Sequence, residues 1–122
     1  MYEYEAKIIK VVDGDTVDAL IDLGFDTHVK KRIRLYGINA PESRTRDKEE
    51  KVRGLAAKDR LKEILKDNRN IITLRSHGVG KFGRCLGELF IPGTEMFSYE
   101  PQCVNRMLIS EGHAVKYMVK NY

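Results

Sequence analysis

Apolar and polar residues alternate along the first third of the chain. Residues 5–12 are rich in Ile and Val and stop at the turn signal Asp13-Gly14. In residues 16–23, TVDALIDL, Val17, Ala19 and Ile21 fall on one side while Asp18, Leu20 and Asp22 fall on the other. A period of two over this length predicts a strand with one face largely buried. Asp-Gly between two such runs is a strong hairpin signal, because Gly accepts positive φ. After a turn at residues 24–27, GFDT, alternation resumes in HVKKRIRLY, residues 28–36. There Val29, Ile33 and Leu35 face one way and Lys30, Arg32 and Arg34 the other. The first third thus reads as a three-stranded meander with a basic stripe.

Residues 37–43, GINAPES, break the pattern. Pro41 cannot donate to a ladder and holds Ala40 extended, so this is a structured loop. The charged run at residues 44–53 reads as solvated loop and first helical turn. Over residues 48–67 the period changes to that of a helix, with Gly54, Ala57, Leu61, Ile64 and Leu65 on one face. Val52, Leu55 and Ala56 fall off that stripe, so the start of the helix buries a second side or stays exposed. Residues 71–75 and 84–90 read as a fourth and a fifth strand, separated by a glycine-rich turn at residues 76–83. A second short helix is expected over residues 102–113, with Val104, Met107, Leu108 and Ile109 as its apolar side.

Five strands with a helix between the third and fourth is the order of an OB-fold barrel, a fold that binds oligonucleotides on one face. Short barrels of other kinds and α+β sandwiches share such strand patterns. The expected architecture is α+β: a five-stranded OB-fold β-barrel, that helix, and a short C-terminal helix. The 122 residues suit a single domain spanning 1–122.

Composition narrows the classes. Hydrophobic residues at 42% and charged residues at 33% argue against disorder. Apolar runs are too short for a membrane span, and the charged start MYEYEAK lacks a signal core, so an intracellular protein with no membrane role is expected. Cys85 and Cys103 are then expected as reduced thiols. His28, His77 and His113 are scattered and read as surface residues. The net charge of +4 suits an anionic partner such as nucleic acid, although many basic proteins bind none.

Several short motifs stand out in a fixed order. Asp13-Gly14-Asp15-Thr16 occupies the first hairpin, Arg34-Leu35 ends the third strand, and Gly37-Ile38-Asn39-Ala40-Pro41-Glu42 follows. Phe82-Gly83-Arg84 leads into the fifth strand, and residues 104–114 read VNRMLISEGHA. Each alone has a structural reading: a turn, a solvated arginine, a loop charge. In this order and spacing, covering about residues 5–118, they resemble the staphylococcal nuclease (thermonuclease) family.

That resemblance implies calcium-dependent hydrolysis of phosphodiester bonds in DNA and RNA, leaving 3′-phosphate ends. It implies that Asp15, the side chain at Asn39 and the Ala40 carbonyl would hold the metal, as oxygen donors suit a hard cation. It implies Glu42 as general base and Arg34 and Arg84 as the phosphate-binding arginines, whose planar forks match phosphate oxygens. Lys81 and Phe82 would border the substrate, and Tyr117 would stack on it or contact it. The implied partner is DNA and/or RNA, bound by a monomer. Asp13 reads as a brace for the turn through its own backbone, with an outer-shell role at the metal also open.

The chain departs from the family's pattern at three points. Asn39 stands where the family has Asp, which removes a ligand charge and implies weaker calcium binding or another divalent metal. Phe82 replaces Tyr, and Gly80 stands where an Asp is common. Two further readings therefore stand beside the nuclease: an OB-fold nucleic-acid-binding module with a weakened or inactive metal site, and a protein-interaction domain reusing the fold.

Overall fold

The structure is a computed structural model that describes residues 2–80, 83–93 and 100–117. Its elements run β1 (Glu3–Asp13), β2 (Thr16–Asp22), β3 (His28–Leu35), β4 (Ile38–Asn39), α1 (Lys48–Asp67), β5 (Ile71–Val79), β6 (Cys85–Ile91), β7 (Gln102–Cys103), α2 (Val104–Ser110) and β8 (Val115–Lys116). Five long strands form the sheet order β3-β2-β1-β5-β6, and a parallel pairing of β3 with β6 closes it into a barrel. This is the expected OB-like α+β fold, with α1 between the third and fourth long strands. Closure removes the open edges that a five-stranded sheet would leave.

The alternation in β2 and β3 does what its period requires. Val17, Ala19, Ile21, Ile33 and Leu35 are buried, while Leu20 and Lys30 point outward. Helix α1 seals one end of the barrel with Ala57, Leu61, Ile64 and Leu65. It starts where Asp47 accepts hydrogen bonds from the Glu49 and Glu50 amides, satisfying donors that a helix start leaves open. It stops at Asn68, and Arg69 and Asn70 then turn the chain through the left-handed region. Val52 and Leu55 remain exposed, so the early part of the helix buries one side only.

Four local expectations are corrected. The region 76–83 is not all turn: β5 continues to Val79, pairing with Cys85 across a register shift after Ser76. Its glycines suggested a loop, yet Gly78 lies inside the ladder, at the register shift between Ser76 and Val79. The second helix spans residues 104–110 rather than 102–113, because residues 102–103 pair with β6 and the chain turns after Ser110. Gly14 does not adopt positive φ; its role is spatial, as described below. His77 is not a surface residue. Its side chain is 15% exposed, stacks on Tyr36 with ring centres 4.0 Å apart, and lies 2.6 Å from Glu88 Oε1.

Three two-residue strands escaped the sequence reading. Two of them, β4 and β8, pair with each other, Asn39 opposite Val115, and so bring the C-terminal segment beside the GINAPE loop. Both cysteines are free, Cys103 buried and Cys85 half-buried. Among the described residues no helix is long and apolar enough to cross a membrane.

Candidate active site

The site begins at the β1–β2 hairpin. A Cβ placed on Gly14 would fall 2.7 Å from Ala57 Cβ and 3.0 Å from Ala40 Cβ. Glycine is needed here because the hairpin is wedged between α1 and the loop after β4. That contact fixes the next residue, Asp15, which is buried. Its carboxylate accepts hydrogen bonds from the Thr16 hydroxyl at 2.9 Å and the Ala40 amide at 2.9 Å.

Strand register supplies the cation. Thr16 sits opposite Arg34 in the β2–β3 ladder, and the Leu35 amide donates to the Asp15 carbonyl at 2.8 Å. Arg34 is buried beside Asp15, its Nη1 3.4 Å from Asp15 Oδ2, with both side chains 11% exposed. Nη1 also donates to the Leu35 carbonyl at 3.2 Å, and Nη2 donates to Asn39 Oδ1 at 3.2 Å. The guanidinium therefore ties together the two side chains expected to hold a metal. A buried carboxylate in this position without its cation would be costly, so the pair is mutually required in the folded chain.

The loop after β4 carries Glu42, which is exposed. Its backbone is held from two sides. Ser43, the next residue, is buried and donates both its amide, at 3.1 Å, and its hydroxyl to Asp13 Oδ1. Asp13 thus braces the Glu42 loop, not its own turn as expected. On the other side α1 passes so close that a Cβ on Gly54 would lie 2.2 Å from the Glu42 carbonyl oxygen. Ser43 and Gly54 hold the Glu42 loop in place, and neither stood among the residues expected at the site. Gly54 carried a signal, a glycine on the buried stripe of a helix, where it costs about 1 kcal/mol of propensity and so implies a close approach.

Of the remaining expected residues, Arg84 and Tyr117 are described. Arg84 is half-buried at the entrance to β6, the strand whose Leu86 is the ladder partner of Arg34. Its carbonyl accepts from the Gly80 amide at 2.8 Å. The Tyr117 amide donates to the Gly37 carbonyl at 2.9 Å, and its ring centre is 6.0 Å from the Arg34 guanidinium carbon. Lys81 and Phe82 lie outside the described residues. A groove of about 350 Å³ runs past Asn39, Ala40 and Pro41 toward Arg53 and His113.

The Asp15 carboxylate and the Asn39 side-chain oxygen, both held by Arg34, are oxygen donors. Such a set fits a hard cation in kind but carries a single negative charge. Among the described residues no three His, Cys, Asp or Glu side chains gather as metal ligands.

Asn105 explains the buried polar position in the VNRML stretch. It is 3% exposed. Its Oδ1 accepts from the Leu89 amide at 3.1 Å, and its Nδ2 donates to the carbonyls of Tyr36 at 2.9 Å and Gly87 at 3.2 Å. It locks α2 onto the β3–β6 seam, just beyond Arg34, with both amide hydrogens donated and its oxygen accepting.

A closed barrel with an acidic hairpin, a buried arginine and an exposed glutamate on a braced loop defines a nuclease-like OB fold. The chain belongs to the staphylococcal nuclease homologue family, whose model matches residues 32–122. It is similar to Protein ParB of Escherichia coli, 29% identical over 117 residues that cover 94% of this chain and 58% of that protein. It is also similar to the micrococcal nuclease of Shigella flexneri, 26% identical over 123 residues that cover 94% of this chain and 59% of that protein. The chain spans somewhat under three-fifths of the length of both relatives.

Proposed function

We propose that this protein is a metal-dependent nuclease that hydrolyses phosphodiester bonds of DNA and/or RNA to leave 3′-phosphate ends. What supports the reading most is the convergence of Asp15, Arg34 and Asn39 beside the braced Glu42 loop. Membership of the nuclease family and the likeness to a micrococcal nuclease point the same way.

In this reading Glu42 accepts the proton of a water that attacks phosphorus. The bond from phosphorus to the 5′ oxygen breaks, and that oxygen takes a proton from solvent water while Glu42 returns its own to solvent. Arg34 swings its outer fork from Asn39 to the phosphate, and Arg84 holds a second oxygen. Both arginines stabilise negative charge that grows in the transition state. Asp15, the Asn39 side-chain oxygen and the Ala40 carbonyl would hold a divalent cation, probed first as calcium, that neutralises phosphate charge when bound. Tyr117 lies near enough to Arg34 to flank a bound nucleotide.

One observation favours a second reading, a nucleic-acid-binding module with a weak metal site: the donor set has one carboxylate. The deciding experiment compares degradation of single-stranded DNA by the wild type and Glu42→Ala, with calcium, magnesium, manganese or chelator. Metal-dependent cutting lost in the variant supports the nuclease. Salt-sensitive binding that ignores chelators, with no cutting under any metal, supports the binding module.

A further inference from the structure

A second basic surface lies outside the site just described. A groove of about 450 Å³ runs between β1 and α1. Its charged lining residues are Lys10 from β1 and Lys58, Lys62 and Lys66 from α1, and no carboxylate lines it. Successive lysines on α1 are four residues apart, a rise of about 6 Å, so the row extends about 12 Å along the helix.

The signs are segregated on this helix. Asp59, Glu63 and Asp67 each follow one of the three lysines, about 100° further round the helix, and none lines the groove. Glu63 is held by Arg60 at 2.6 Å. Lys10 lies opposite Asp18 in the β1–β2 ladder, but Arg32 binds both oxygens of that carboxylate, at 2.9 and 3.2 Å. Among the described residues none of the four lysines is in an ion pair. Lysine ammonium groups gathered in this way raise the local potential and favour a polyanion. Ile9, half exposed between them, adds an apolar contact on the floor.

The groove reaches Val11, two residues before Asp13 of the hairpin that carries Asp15. Ala57, the residue before Lys58, is the contact of Gly14, and Gly14 precedes Asp15. We propose that this groove is an auxiliary nucleic-acid site that holds the phosphate backbone of the substrate beyond the scissile bond. The inference rests on nucleic acid being the substrate. It extends that reading by making long strands better ligands than short ones.

The test uses the full chain with Lys58→Gln, Lys62→Gln and Lys66→Gln combined, substitutions that remove charge and keep helix propensity. Binding of a single-stranded oligonucleotide long enough to cover both sites is measured by fluorescence anisotropy in chelator, across a salt series. Affinity at low salt is expected to fall tenfold or more, and the log–log salt slope to shrink by about 2 for three lost contacts. A dinucleotide substrate is expected to be cut at an unchanged rate. Unchanged affinity and slope would overturn the proposal. So would an equal loss from neutralising Lys7, Lys30 and Lys31, which would make the effect one of net charge. Binding to phosphatidylserine vesicles through the same lysines, with DNA affinity unaltered, would also overturn it. Because binding is read without catalysis, a wild type that binds through these lysines but cuts nothing would sink the nuclease reading and leave this one standing.

Discussion

The Glu42 carbonyl lies where a side chain on Gly54 would have to be. A Cβ there would approach the Glu42 oxygen to 2.2 Å, its carbonyl carbon to 2.4 Å and the Ser43 nitrogen to 2.7 Å. All three are backbone atoms, so none can swing aside. Gly54→Ala is therefore expected to push the Glu42 loop off α1. It should cost about 1–3 kcal/mol of stability by overpacking, even though alanine is the better helix former by about 1 kcal/mol. Displacement of the base by an ångström should lower kcat by up to about a hundredfold. Thermal unfolding and DNA-cleavage kinetics read the two effects separately, and a stabilised variant would refute the close approach.

In the proposed metal site Asn39 supplies an oxygen without a charge. Asn39→Asp is expected to tighten calcium binding by about tenfold or more, since affinity in such sites follows ligand charge and Coulomb terms at partly buried positions are worth kcal/mol. Arg34 donates to Oδ1 at 3.2 Å, and an aspartate can accept the same bond. Calorimetric titration with calcium checks this. Tight binding by the wild type, unchanged in the variant, would contradict it.

Asn105 uses both ends of its amide across three chain segments. Asn105→Leu strands the Leu89 amide and removes the donor to Tyr36 and Gly87. The expected loss is roughly 2–5 kcal/mol, from buried groups left without partners. Chemical denaturation measures it, and a loss within a few tenths of a kcal/mol of zero would mean the amide is dispensable.

Stability should fall on the acid side. A hydrogen bond from Arg60 holds the Glu111 carboxyl below the usual carboxylate range against a smaller cost of burial. Arg32 does the same for Asp18. Burial pushes Glu88 up, but hydrogen bonds from His77 and Cys103, with the charges of His77 and Arg75, outweigh it and leave it lowered. Groups with depressed folded values contribute stability above their unfolded values, and that contribution is lost as pH falls through the folded ones. The decline is thus expected below about pH 4. Glu111→Gln should flatten it. At neutral pH the same change should cost only about 0.2–1 kcal/mol, because the pair is partly solvated. Denaturation midpoints from pH 2 to 7 in both proteins test this, and superimposable curves would exclude the Glu111 contribution.

Much of the frame is written in local periodicity. The two-residue alternation of Val17, Ala19 and Ile21 and the stripe from Gly54 to Leu65 each repeat often enough to declare an element and its buried face. What was not legible depends on partners distant in sequence. The pairing of Asn39 with Val115 is two residues long and has no period to detect. Asp13 braces Ser43 from the next loop over, a relation no local turn rule contains. Gly14 looked like a positive-φ turn residue, yet what it supplies is the space taken by Ala57. His77 read as a surface residue because burial on Tyr36 and Glu88 is decided by a ladder that forms across β6. The candidate site residues were readable as types in order, whereas the Arg34 bridge between Asp15 and Asn39 required the fold.

The parallel seam of residues 33–35 with residues 85–87 also sets when the molecule acquires its chemistry. Every carboxylate and amide of the centre, and its first arginine, lies before residue 43, but Arg84 and the strand that closes the barrel come much later. An N-terminal fragment emerging from a ribosome, or left by a protease, holds half of the candidate site on an open sheet. Such long-range closure is slow compared with hairpin formation. On the proposed function, Arg34 and Arg84 can serve one phosphate only after the seam zips, so a nascent chain would stay inert toward nucleic acid until its topology is complete.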